Sequence, residues 1–134
     1  MSRQMFVNLP VKDLARSTAF FSALGFSFDQ NFTDENAASM VVGDGAFVML
    51  LVEPFFQTFT TKAIVDATAA TEVVVAISAA SPEEVDELVG KALENGGSAA
   101  NDKNEMPGMV GWSFHDPDGH LWEVVWMDPA AMGG

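Results

Sequence analysis

Glu123 has the setting most suggestive of chemistry, within the run Leu121-Trp122-Glu123-Val124-Val125-Trp126-Met127. Strand alternation puts Trp122 and Val124 on one face and Glu123 on the other, with Leu121, Val125 and Met127. A carboxylate on an apolar strand face is expensive unless it is paired or used. One reading makes Glu123 a polar anchor or general base in a cavity. The other makes it a strand residue hydrogen-bonded to a neighbour. Glu72 is a second candidate, two residues before Val74 and so on the same face of a strand expected over Thr71–Ser78. It either binds a cationic ligand or stands exposed at the strand start. Asn8 shares a face with Phe6 and either supplies a cavity hydrogen bond or satisfies nearby backbone.

His115 and His120 flank the turn Asp116-Pro117-Asp118-Gly119. They lack the i, i+4 or i, i+2 spacing of ligand pairs, so no metal site is expected there. The turn is expected to be exposed, with Asp116 and Asp118 accepting hydrogen bonds from backbone two residues on. The chain has no Cys and no Tyr, which removes thiol nucleophiles, thiolate metal sites, disulfides and phenol acid–base chemistry. There is no G-x-S-x-G elbow, and Gly43-Asp44-Gly45 and Gly96-Gly97 precede no helix that could cradle phosphate.

These residues sit in a chain of 134 with 19 acidic and 6 basic side chains, a formal charge of −13. That balance argues against nucleic acid and anionic membranes as partners. Hydrophobic residues make up 49%, enough to fill one core, so the carboxylates form mostly a solubilising surface. The start, Met1-Ser2-Arg3-Gln4, has no signal-peptide core, and the longest apolar run, Ala46 to Val52, is too short to span a bilayer. A cytoplasmic protein is expected.

The elements that must position the candidates come twice in the same order. Phe6–Val11 reads as a strand, and Asp13 caps a helix running to Leu24, stopped by Gly25. Strands follow at 26–32, 39–42 and 46–52, the last two joined by Gly43-Asp44-Gly45. The second series opens at Thr71–Ser78. Ser81-Pro82-Glu83-Glu84 then starts a helix whose Val85, Leu88, Val89, Ala92 and Leu93 form one stripe. Asn95-Gly96-Gly97 ends it, with weaker strand material to Asn104 and strands at 109–114 and 120–127. The chain therefore reads as a duplicated βαβββ unit over 4–53 and 71–128, within a single domain 1–134. The connector 54–70 is too long for a plain loop, and its Phe55, Phe56 and Phe59 predict a short helix.

Two such units, the opening Val11-Lys12-Asp13-Leu14 and the closing Asp116-Pro117-Asp118-Gly119-His120-Leu121-Trp122-Glu123 resemble the vicinal oxygen chelate superfamily of glyoxalase I, bleomycin resistance proteins and extradiol dioxygenases. The resemblance implies an α+β fold of two tandem βαβββ units in a cupped mixed sheet, and a homodimer. The family's enzymes hold a divalent metal with His, Glu, His and Glu from the first and last strands of the units. Carried over residue by residue, those positions fall on Phe6, Met49, Val74 and Glu123, of which only Glu123 matches. Phe6, Met49 and Val74 cannot hold a hard or borderline cation.

The function implied is therefore a metal-independent small-molecule binding protein with no cofactor. Its apolar aromatic cavity would draw on Phe6, Met49, Val74 and Trp112, with Glu123, Glu72 and Asn8 as polar contacts. The acidic balance favours neutral or cationic ligands. The alternative is a metal-dependent lyase, isomerase or dioxygenase with a non-standard ligand set, in which Glu123 is a base and the metal is held by Glu72, a His or the partner chain. A third reading is a non-catalytic interaction module using Phe55, Phe56 and Phe59.

Overall fold

A computed structural model describes residues 3–130. Met1 and Ser2 lie outside the described residues, as do the last four residues of the expected domain. The chain divides into two compact units, Met1–Val65 and Asp66–Gly134.

The first unit runs β1 (Met5–Val11), α1 (Leu14–Ala23), β2 (Ser27–Asp29), β3 (Ala37–Gly43), β4 (Ala46–Val52) and α2 (Glu53–Phe56). Its sheet has four strands in the order β1-β4-β3-β2, with β1 parallel to β4 and the others antiparallel. Asp13 caps α1 by accepting the Arg16 N–H, and Gly25, at φ 102°, takes the chain out. Leu9, Val48, Leu50 and Met40 share one sheet face by register and are buried with Phe20, Phe21 and Leu24 of the α1 segment. The strand expected over 26–32 is shorter than predicted. The Asp29 carboxylate accepts the Asn31 N–H and starts a single 3₁₀ turn over Gln30–Phe32. A further 3₁₀ turn, Gln57–Phe59, follows α2, and the Phe55 and Phe59 rings meet edge to face at 5.4 Å.

The second unit runs β5 (Val74–Ser78), α3 (Pro82–Glu94), β6 (Ser98–Ala99), β7 (Asn104–Met106), β8 (Met109–His115) and β9 (Leu121–Met127). Its five-stranded sheet is ordered β5-β9-β8-β6, and β7 also pairs with β8. Trp122, Val124 and Phe114 are buried on one face together with Val85, Val89 and Ala92 of α3. The Phe114 and Trp122 rings are parallel at 6.3 Å.

The helix start reads as its sequence predicts. Ser81 Oγ accepts the Glu84 N–H at 3.1 Å, and Glu84 Oε1 reaches back to the Ala80 N–H at 2.9 Å. Ser81→Ala is expected to lower stability by about 1 kcal/mol, read by urea denaturation.

Two expectations need correction. Residues 71–73 are not strand, because β5 begins at Val74. Glu72 therefore lies before the strand, and alternation assigns it no face. The expected strand from Ser98 to Asn104 is two pieces separated by irregular backbone at 100–103. Among the described residues no helix is long and apolar enough to cross a membrane.

Candidate functional site

Glu123 lies in the middle of β9, opposite Ser113 of β8 and Ala76 of β5. Paired residues share a face, so Glu123 stands with Ser113, Gly111, Val125 and Met109. The other face, with Trp122 and Val124, belongs to the α3 core. Glu123 is half-buried and lines a cavity of about 350 Å³ with Asn101, Asp102, Asn104, Met109, Gly111, Trp112, Ser113 and Val125. Among the described residues its carboxylate has no hydrogen-bond or ion-pair partner. Trp112 also borders this cavity, although its register partner, Val124, belongs to the opposite face.

The nearest cation in sequence is engaged elsewhere. Lys103 Nζ binds Asp86 of α3 at 2.7 Å and Glu105 at 3.0 Å, and lies 5.9 Å from the Trp112 ring centroid. Hydrogen bonds to Asp86 and then Glu105 hold its ammonium above the ordinary lysine range. The cavity thus has the carboxylates of Glu123 and Asp102 in its lining and a tethered lysine nearby.

Glu72 is drawn into a different arrangement. Its Oε1 lies 2.7 Å from Nδ1 of His120, whose side chain is 2% exposed, while the Glu72 side chain is 23% exposed. Asp116, 4% exposed, accepts the Asp118 and His120 N–H groups on Oδ1 at 2.9 and 3.0 Å, and the Trp122 Nε1–H on Oδ2 at 3.0 Å. Burial pushes the Asp116 carboxyl above its ordinary value of 3.8, and the neighbouring His120 and the Trp122 N–H oppose the rise. The expectation of an exposed turn is thus overturned: Asp116 and His120 are buried. Ala67 and Thr68 approach Gly119 closely, and Glu72 closes on His120. The nearest sequence signal was the clustering of Asp, His and Trp over 115–122.

The other candidates fall on the first unit or at the end of β5. Phe6, 53% exposed, stacks on Phe47 at 5.1 Å and shares its sheet face with Asn8 and Met49. Asn8 is exposed and Met49 half-buried. Val74 is exposed and lies opposite Leu121.

The donor set can be tested directly against the divalent cation that the fold suggests. Of Phe6, Met49, Val74 and Glu123, Glu123 alone carries an oxygen donor in its side chain. Among the described residues no group of three or more His, Asp or Glu side chains is placed to hold a metal ion. One carboxylate does not offset the dehydration of such a cation, so these residues do not fit it.

Residues 3–43 match the family "Bleomycin resistance protein-like N-terminal". The hypothetical protein SA1046 from S. aureus is 30% identical, with 94% of each chain covered and a TM-score of 0.79. A glyoxalase/bleomycin resistance protein/dioxygenase family enzyme from Burkholderia phytofirmans PsJN is 14% identical, with 94% of this chain and 99% of that one covered at TM-score 0.76. The fosfomycin resistance protein FosX from Listeria monocytogenes, complexed with Mn(II) and sulfate, is 18% identical over 96% and 93% of the two chains at TM-score 0.68. No curated protein matches the chain. The chain has the fold of the glyoxalases, bleomycin resistance proteins and dioxygenases, the vicinal oxygen chelate superfamily, and its residues 3–43 match a family model of that group.

Proposed function

We propose that the protein binds a small neutral or cationic organic molecule on the Glu123 face of its second unit, without a metal ion. One observation carries this reading. Glu123 is a half-buried carboxylate with no partner among the described residues, and it lines a cavity of about 350 Å³. Among the described residues no buried side-chain oxygen lacks a partner, so the Glu123 carboxylate opens to the cavity, where a bound donor or cation can reach it. Met109 and Val125 supply apolar contact, and Asn101 and Asn104 supply orienting amides.

Calorimetric titration with phenethylamine, and with phenylacetate as its anionic counterpart, tests the reading. The amine is expected to bind in preference to the acid, and Glu123→Gln to weaken it about tenfold, the worth of one charge-assisted hydrogen bond. Preference for phenylacetate, or amine binding that Glu123→Gln leaves unchanged, overturns the anchor role.

The likeness to the manganese-bound FosX structure favours a second reading, a metal-dependent enzyme in which Glu123 is a ligand or base. Metal analysis of protein purified without chelator separates the two. One equivalent of divalent metal per chain would replace the first reading with the second. The proposed homodimer is checked by sedimentation equilibrium, where a monomer at micromolar concentration would refute it.

A further inference from the structure

The sheet edge beside Glu123 is irregular in a way the binding reading does not explain. Ala99 pairs with Phe114 and Asn104 with Gly111. Between these pairs, Ala100 to Lys103 face only Trp112 and Ser113 on β8. The edge thus carries a two-residue excess and bulges opposite Ser113, the direct cross-strand neighbour of Glu123. Bulges of this kind re-aim side chains next to binding sites. Here Asn101 and Asp102 lie in the bulge, Asn104 ends it, and all three line the cavity that Glu123 lines.

A loop with surplus residues at a sheet edge stays in place only if something holds it. Two tethers do so. On the Glu123 face, Ser113, 3% exposed, accepts the Asn101 N–H on its Oγ at 2.9 Å, and the same hydroxyl lies 3.5 Å from the Asn101 carbonyl oxygen. Towards α3, Lys103 is bound to Asp86 and rests over Trp112. The first tether is part-buried, on a hydroxyl whose residue is buried, and the second is more exposed, so the first should dominate.

We infer that Ser113, assisted by Lys103, is a positioning residue: it holds the bulged rim 101–104 beside Glu123 and thereby sets how well a guest is gripped there. This rests on the proposal that Glu123 binds a small molecule. The rim supplies the polar contacts that Glu123 alone lacks. Pairing to β8 fixes its two ends, and between them the Ser113 hydroxyl holds Asn101 while Lys103 is engaged by Asp86 and Glu105.

The test joins amide hydrogen exchange with phenethylamine titration. In Ser113→Ala the Asn101 amide is expected to lose protection about tenfold, and phenethylamine affinity to fall about fivefold, the order set by one buried hydrogen bond. Ser113→Thr keeps the hydroxyl and should restore both. Lys103→Met, which removes both ion pairs and the cation over the Trp112 ring, should weaken binding less than Ser113→Ala. Unchanged Asn101 exchange in Ser113→Ala overturns the inference. So does faster exchange with unchanged affinity, because the rim would then be structural only. No binding of phenethylamine by wild-type protein overturns the binding reading, and this inference with it. Wild-type binding that Ser113→Ala leaves intact overturns only the positioning role.

Discussion

Gly119→Ala is expected to destabilise the protein by about 3 kcal/mol, lowering the thermal midpoint by about 10 °C for a chain of this size. Two independent effects add at this position. Gly119 has φ 89°, in the left-handed region that disfavours any residue with a Cβ. A Cβ placed there would also lie 2.9 Å from the Ala67 carbon and oxygen and from the Thr68 nitrogen. All three are backbone atoms, which cannot rotate away as a side chain would. Gly96→Ala is the control, because Gly96 is at φ 109° yet nothing lies within 4 Å of the added carbon. It should show the conformational penalty alone, about 1–2 kcal/mol. Equal losses in the two variants, measured by urea denaturation, would show that the 66–68 segment does not press on the turn.

Asp116→Ala is expected to be at least as damaging, about 3–5 kcal/mol. Its carboxylate is the acceptor for the N–H groups of Asp118 and His120 and for the Trp122 indole. Truncation leaves the latter two donors buried, whereas Trp122→Phe removes one donor, keeps most of the ring and should cost about 1–2 kcal/mol. The charge has its own signature. Because burial raises the Asp116 pKa, the folded chain binds this proton more tightly than the unfolded chain. That contribution is complete below the unfolded value of 3.8 and is lost as pH rises through the raised one. Asp116→Asn removes the titration. The stability of wild type relative to Asp116→Asn should therefore fall as pH is raised from about 3 to about 6. A rise over that interval would mean that the three hydrogen bonds outweigh burial and lower the pKa instead.

Both predictions concern the turn where the sequence reading and the structure part company. Read alone, Asp116-Pro117-Asp118-Gly119 is a turn, and a turn it is: the Gly119 N–H bonds the Asp116 carbonyl at 2.9 Å. Turn chemistry is local, so four residues encode it. Burial is not local. Ala67 and Thr68 come down on Gly119, and Glu72 meets His120 across 48 residues of chain. No periodicity links those positions.

The same division runs through the candidate site. Alternation along 121–127 already set Glu123 apart from Trp122 and Val124, because a strand's two faces follow from every second residue. The α3 stripe and its Ser81 cap were legible for the equivalent helical reason. Glu72 was misplaced because the strand begins three residues later than the β-branched composition suggested, and its carboxylate is claimed by a buried histidine. The bulge at 100–103 was invisible as well: its surplus exists only relative to Trp112 and Ser113, residues of another strand.

The sequence by itself thus determined the elements, their duplicated order, the face of Glu123 and the lack of ligating side chains at Phe6, Met49 and Val74. These are properties of residue type and local period. Tertiary structure decided what is buried, what pairs with Glu72, and which side chains join Glu123 around one cavity. Those depend on strand pairing and on long-range approach of backbone to backbone, which no short window of sequence contains.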